Sequence, residues 1–375
     1  MTRVFCTYFD HHYLARGLAL HHSLQKYCPD FELWVLCLSD ECHETLVRLM
    51  LPGIKLLTLA ELEAFEPRML TARQNRSLVE FFFTCSPVLP SLVLELAPAA
   101  QEVTYLDGDL LLFGPLDEVW EEIGDSSIAI TPHRFPPEKR DSVRYGIFNV
   151  GWLTFRRDAN ARACLEWWRD RCLEWCYDRL EGERFADQKY LDVWPEKFSG
   201  VKIIQHPGVN LAPWNLNAYQ LEWRDGRVVV AGRPLLVFHF HGLKQVAPAY
   251  FDPRWWNYDV KASPVLVGKI YQPYLRLLTR LTRKIGKKKK QAGKNPRLEE
   301  HEPASEPLQF VSLWQALWRT WRAQVKLLPK RTIWQTARST LKVKMWQEMS
   351  RTRSQWHEAQ RLLADRLQSG ELIRC

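Results

Sequence analysis

The residues best placed to do chemistry sit in the stretch Val103-Thr104-Tyr105-Leu106-Asp107-Gly108-Asp109-Leu110-Leu111-Leu112-Phe113. An apolar strand runs into two carboxylates, and a second apolar run follows. Side chains alternate along a strand, so Asp107 and Asp109 can share a face. Two carboxylates held together repel and are costly to desolvate. A divalent cation placed between them and a phosphate removes that cost, and hard oxygen ligands suit Mg²⁺ or Mn²⁺. Gly108 lets the backbone approach a ligand closely. The plainer reading is a turn, where Asp and Gly are common, and Asp-x-Asp alone does not separate the two.

The elements that must position these carboxylates read as alternating strands and helices, which argues for an α/β open sheet. Residues 3–7 are expected as a first strand, followed by the polar loop Asp10-His11-His12-Tyr13 and a helix over 17–27. The run 32–38 is nearly all apolar, as in a parallel strand covered on both faces. A helix interrupted or kinked at Pro87 leads into the Asp-x-Asp strand. Residues 132–145 are polar, with Pro136-Pro137, and suggest a flexible lid. Asp225-Gly226 is good turn chemistry for a hairpin over 221–230. Asn210, Trp214 and Asn215 lie in an irregular loop that could line the acceptor or sugar site, although aromatic packing is the safer reading.

Of the 375 residues, 46% are hydrophobic, enough for a substantial core. Charge is unevenly placed. Residues 261–375 carry 25 Lys and Arg against 8 Asp and Glu, a net of +17, while residues 1–260 carry 27 against 35, a net of −8. An acidic body with a basic tail suggests a catalytic domain and an anchor for something anionic. The nine cysteines form no CxxC pair. Cys164, Cys172 and Cys176 recur at helical spacing and read as reduced core residues. The N-terminus lacks a signal peptide's apolar stretch, and no run of 18 uncharged apolar residues is present, so no membrane-spanning helix is expected. The expected compartment is the cytoplasm, with a peripheral position on the cytoplasmic face of a membrane.

Five motifs in order carry a resemblance. They are the loop through Asp10 and Tyr13, Tyr105-Leu106-Asp107-Gly108-Asp109, Phe148-Asn149-Val150-Gly151, Asp187-Gln188, and His239-Phe240-His241-Gly242-Leu243-Lys244. Over residues 1–250 the chain resembles the retaining nucleotide-sugar glycosyltransferases of family 8 and their relatives, which include glycogenin and lipopolysaccharide galactosyltransferases. The resemblance implies a GT-A fold, a Rossmann-like nucleotide-diphospho-sugar transferase domain. It implies Mn²⁺ (or Mg²⁺) on Asp107, Asp109 and His239, with His241 as the alternative ligand. It implies donor contacts from Thr7, Tyr8, Asp10, Asp107, Gly108, Asn149, Gly242 and Lys244, although Lys244 arrives one residue early. Asp187 and Gln188 match the pair near the sugar. Arg76 is read from the sequence as a phosphate partner, with a solvated helix start as the alternative.

The expected activity is metal-dependent transfer from a nucleotide-diphosphate sugar, UDP-sugar favoured, to a glycan or lipid-linked acceptor with retention. The alternatives are a non-catalytic membrane-associated scaffold with a degenerate transferase domain, or an Asp-x-Asp phosphatase. The expected domains are the GT-A domain over 1–260, a basic amphipathic helix over 261–290, a polar linker over 291–307 and a basic, Trp-rich helical tail over 308–375. Trp among basic residues at helical spacing favours an anionic membrane surface over nucleic acid, and a small helical bundle with solvated basic faces is the plainer alternative.

Overall fold

The computed structural model describes residues 2–247, 250–292 and 373–374. Chain order runs β1 (Arg3–Phe9), α1 (Leu14–Tyr27), β2 (Phe31–Cys37), α2 (Asp40–Leu49), β3 (Ile54–Thr58), α3 (Leu59–Phe65), α4 (Met69–Asn75) and α5 (Leu78–Leu96). Then come β4 (Glu102–Leu106), β5 (Leu110–Leu112), α6 (Asp117–Ile123), β6 (Ile128–Pro132), β7 (Phe148–Arg156), α7 (Ala159–Glu174), α8 (Trp194–Lys197) and β8 (Val201–Ile203). A hairpin follows, β9 (Leu221–Arg224) and β10 (Arg227–Val230), then β11 (Arg233–Pro234) and β12 (Val237–His239). The last described elements are β13 (Lys244–Ala247), β14 (Tyr250–Asp252), α9 (Gln272–Ala292) and β15 (Ile373–Arg374).

The seven-stranded sheet has the order β3-β2-β1-β4-β7-β6-β8. Strands β1 to β4 pair in parallel, and β7 runs antiparallel to both β4 and β6. This is the expected α/β class, with a mixed sheet. Alternation along β1 shows why it is central. Val4 and Cys6 enter the apolar cluster with α5 and α7, while Phe5 and Phe9 enter the cluster with α1 and α2. Both faces are covered, which accounts for the unbroken apolar runs in sequence.

Helix α5 begins at a capping box in which Ser77 and Glu80 exchange side-chain and backbone bonds. It continues through Pro87 and Pro90 without ending. By length and composition it is apolar enough to cross a membrane, yet 61% of that apolar window is buried inside the fold. Its composition reflects packing against α7 and the sheet. The expected hairpin turns at Asp225 and Gly226, with φ of 51° and 76°. Positive φ at both positions matches the strand twist and suits Asp-Gly. The expected lid contains a 3₁₀ helix, Pro137–Tyr145, tied down by a 2.8 Å Lys139–Asp259 ion pair and by Ile147 N–H donating to Asp192.

Among the described residues, 2–241 with 258–289 form one compact unit, and 242–247, 250–257, 290–292 and 373–374 belong to another. Helix α9 belongs largely to the first unit. Its Tyr274, Leu275 and Leu278 are buried, and Tyr274 stacks on Phe240 with ring centroids 3.7 Å apart. The apolar stripe expected to meet lipid is thus covered by protein, leaving Arg276, Arg280, Arg283 and Lys284 exposed. In the second unit β14 pairs antiparallel with β13 and β15. The linker expected at 291–307 and the helical stripes at 308–375 lie outside the described residues, apart from 291–292 and 373–374.

Candidate active site

Asp107 and Asp109 occupy the turn between β4 and β5. Main-chain bonds fix it: Asp107 N–H donates to the Gly151 carbonyl, and Leu110 N–H to the Asp107 carbonyl. Strand β12 pairs antiparallel with β5, with His239 opposite Leu110, and this carries the imidazole to the carboxylates. His239 Nε2 lies 3.0 Å from Asp109 Oδ1 and 3.6 Å from Asp107 Oδ2. Tyr105 donates its hydroxyl to Asp107 Oδ1 at 2.8 Å. The ligand atoms of Asp107, Asp109 and His239 all lie within 4.8 Å of one another. Two oxygens and one imidazole nitrogen, converging and largely buried, form a donor set that fits a divalent cation.

The electrostatics agree. Burial alone would raise Asp109, yet His239 beside it, by charge and hydrogen bond, brings its carboxyl down to about 2. Burial raises Asp107 above the ordinary carboxylate range, against the pull of His239. Burial disfavours the imidazolium of His239, but Asp109 and Asp107 carry its pKa above the usual value. The pair of carboxylates is thus built around a positive charge. His241 is exposed, with its ring 5.9 Å from that of His239, and stands outside the convergent set.

Asp187 is the second buried carboxyl. Burial pushes it up to about 7, the Ser86 hydroxyl opposing and the charge of Asp107 adding. Tyr8, from the end of β1, bonds Ser86 through its hydroxyl at 3.1 Å. Burial raises that phenol, and the charges of Asp187 and Asp107 raise it further, so Tyr8, Ser86, Asp107 and Asp187 face one region. Gly108 lies against the Tyr8 carbonyl, which an added Cβ would approach to 3.6 Å. Thr7 is fully buried, with no hydrogen-bond partner for its hydroxyl oxygen. Asp10 caps its own loop by accepting from the N–H groups of His12 and Tyr13. Gln188 donates to the Tyr145 carbonyl, linking the Asp-Gln pair to the 3₁₀ segment.

Further residues matched to the donor have protein surroundings of their own. Arg76 donates to Thr84 Oγ1 and to the carbonyls of Cys172 and Leu173, so its guanidinium braces α5 against the end of α7. Its charge satisfies carbonyls that α7's last turn leaves without intrahelical partners. Gly242 and Lys244 belong to the second unit, where Lys244 opens β13. Asn149 is buried with both amide atoms engaged: Oδ1 accepts from Gly151 N–H, and Nδ2 faces His133 Nε2. Sequence reasoning missed Ser86 and His133, which have no local signature because only tertiary packing gives them partners. Asn210 and Asn215, read as loop packing, sit fully buried behind His239, against which Trp214 packs edge-on.

No family model matches the chain. Among solved structures it is similar to the galactosyltransferase LgtC in complex with donor and acceptor sugar analogs (17% identity, 75% of this chain and 96% of that one, TM-score 0.46). It is also similar to the glycosyltransferase GlyE of Streptococcus pneumoniae TIGR4 (16%, 76% and 64%, TM-score 0.42). Two uncharacterized proteins of Bacillus subtilis (strain 168) are more alike in sequence. YfnF is 32% identical over 255 residues, 66% of this chain and 84% of its own. YfnD is 30% identical over 279 residues, 74% of this chain and 88% of its own. With that identity sustained over most of their length, the chain belongs to the family of YfnF and YfnD.

Proposed function

We propose that this protein is a metal-dependent glycosyltransferase that moves a sugar from a nucleotide-diphosphate donor, UDP-sugar favoured, to a glycan or lipid-linked acceptor with retention. The observation that carries this reading is the convergence of Asp107, Asp109 and His239 in a sheet-end turn, beside the end of β1 and the buried Asp187. The three residues would hold Mn²⁺ or Mg²⁺, and the imidazole nitrogen favours a first-row ion. Held there, such an ion would supply charge neutralisation for the departing diphosphate. Asp187 supplies carboxylate oxygen towards an oxocarbenium-like centre, as carboxylates do in glycoside chemistry. Its burial raises the energy of its own charge, so positive charge developing nearby is strongly stabilised. Gln188 ties that carboxyl to the 3₁₀ segment at 137–145. Thr7 Oγ1, buried and unpartnered in the protein, is suited to the nucleoside side of the donor.

The exposed Arg276, Arg280, Arg283 and Lys284 support a peripheral position on an anionic membrane, on its cytoplasmic face, where a lipid-linked acceptor would lie.

The test is a thermal-shift screen of the full chain with UDP-, GDP-, ADP- and CMP-sugars, each with and without Mn²⁺. A ligand that binds only the folded state raises its melting temperature. One nucleotide class should stabilise the protein in a Mn²⁺-dependent way, and Asp109→Ala should abolish the effect. No shift from any donor would overturn the transferase reading and favour a scaffold.

A further inference from the structure

A backbone amide settles which nitrogen of His239 faces the cation. Gly151 N–H can only donate, and it meets Asn149 at 2.9 Å, so the atom it meets is the amide oxygen. That same oxygen lies 3.0 Å from Asn210, which must therefore present its NH₂ group; this group also reaches Thr131 Oγ1 at 3.1 Å. Asn210's other atom is then its oxygen, and it lies 3.2 Å from His239 Nδ1. An oxygen facing Nδ1 requires Nδ1 to carry the proton. His239 Nε2, the nitrogen beside Asp107 and Asp109, is left with its lone pair to offer once a cation replaces the proton there.

We infer that Asn210 is a positioning residue which, through the buried chain Gly151–Asn149–Asn210, commits His239 to the Nδ1–H tautomer and aims Nε2 at the cation. This rests on the cation site proposed above. The ring nitrogen that bonds the protein sets the one that bonds a metal. The chain is closed at both ends. Asn149 Nδ2 faces His133 Nε2 at 3.4 Å, and burial holds His133 down at about 3, which keeps that ring neutral beside the amide. Asn215 is oriented by Ala212 N–H and grips Asn210 by its carbonyl at 3.2 Å. Asn210 is fully buried and holds φ at 58°, a left-handed conformation that Asn tolerates better than other non-glycine residues. Gly151 leaves no room for slippage, since a Cβ there would lie 2.6 Å from Asn149 Oδ1 and 2.9 Å from His239 Nδ1.

The experiment measures Mn²⁺ affinity of the full chain by titrating the paramagnetic resonance of free Mn²⁺. Asn210→Gly keeps the backbone conformation accessible and deletes the acceptor; its affinity should fall by about 10–100-fold. Asn210→Asp keeps an oxygen on Nδ1 but sets its second oxygen against Asn149 Oδ1, so its affinity should fall by less than that of Asn210→Gly. Wild-type affinity in Asn210→Gly, or an equal loss in Asn210→Asp, overturns the inference while leaving the cation site standing. If the wild type binds no Mn²⁺, the cation site itself falls, and the inference with it. Should Asn210→Gly not fold, ¹⁵N imidazole spectra of the Mg²⁺-loaded wild type decide the matter: a proton on His239 Nδ1 supports the inference, and a proton on Nε2 overturns it.

Discussion

At His239 a proton and a metal ion compete for one nitrogen. Asp109 and Asp107 raise its pKa, so a proton is held there more tightly than on an ordinary imidazole. A cation must displace that proton, so affinity should weaken as pH falls through the His239 value. Mn²⁺ titrations at pH 6 and pH 8 check this, and equal affinities would contradict it. Asp187 gives a second pH effect, of calculable sign. Its folded pKa of about 7 exceeds the ordinary 3.8, so the native state binds more protons than the unfolded chain between those values. Stability therefore drops as pH rises across that window. Asp187→Asn removes the titration and keeps the shape. It should melt higher than wild type at pH 8 and about equally at pH 4, in scans without added cation. A constant difference across pH would locate the effect in packing instead.

Elements explain which site residues could be read from sequence. Asp107 and Asp109 were legible because an apolar strand precedes them, and His239 because it ends another; local pattern fixes both positions. Asn149 was legible as a candidate residue, but its protein partners were not. Its partners Asn210 and His133 lie 61 and 16 residues away in sequence, and only the sheet brings them together. A basic residue at a helix start, such as Arg76, reads the same in sequence whether it meets phosphate or carbonyl. In the fold it joins α5 to α7. Replacing it with Met should leave the Cys172 and Leu173 carbonyls short of partners and cost about 1–3 kcal/mol. Denaturant titration measures that cost, and nucleotide-sugar affinity should not change in the folded variant. A selective loss of donor binding at full stability would return Arg76 to the phosphate. At Gly151 an added methyl meets His239 and Asn149, so Gly151→Ala should destabilise by about 1–3 kcal/mol. It should also weaken Mn²⁺ binding. An unperturbed variant would mean that strand β7 yields more easily than its packing suggests.

Across the whole molecule the strongest asymmetry is charge, an acidic body joined to a basic C-terminal region. Composition revealed the asymmetry but not its use, because a helical apolar stripe looks alike whether it meets lipid or protein. In α9 it meets protein, and what remains outside is a row of cations. Each near an anionic surface contributes about 1 kcal/mol. Changing Arg276, Arg280, Arg283 and Lys284 together to Gln should weaken binding of the full chain to phosphatidylserine vesicles by roughly two to three orders of magnitude at physiological salt. Vesicle sedimentation reads the difference. Unchanged binding would move the contact away from this face.

The pairing of β5 with β12 also has a consequence in time. Asp109 and His239 are separated by about 130 residues, so a ribosome working at about 5–20 residues per second makes the carboxylates roughly ten seconds before their imidazole. Throughout that interval β5 lacks its partner strand and its acidic turn lacks the His239 imidazole. The nascent chain therefore acquires its cation-binding geometry late, when the strand ending in His239 docks, and a ribosome stalled before that point would display a nearly complete sheet that cannot yet hold the ion.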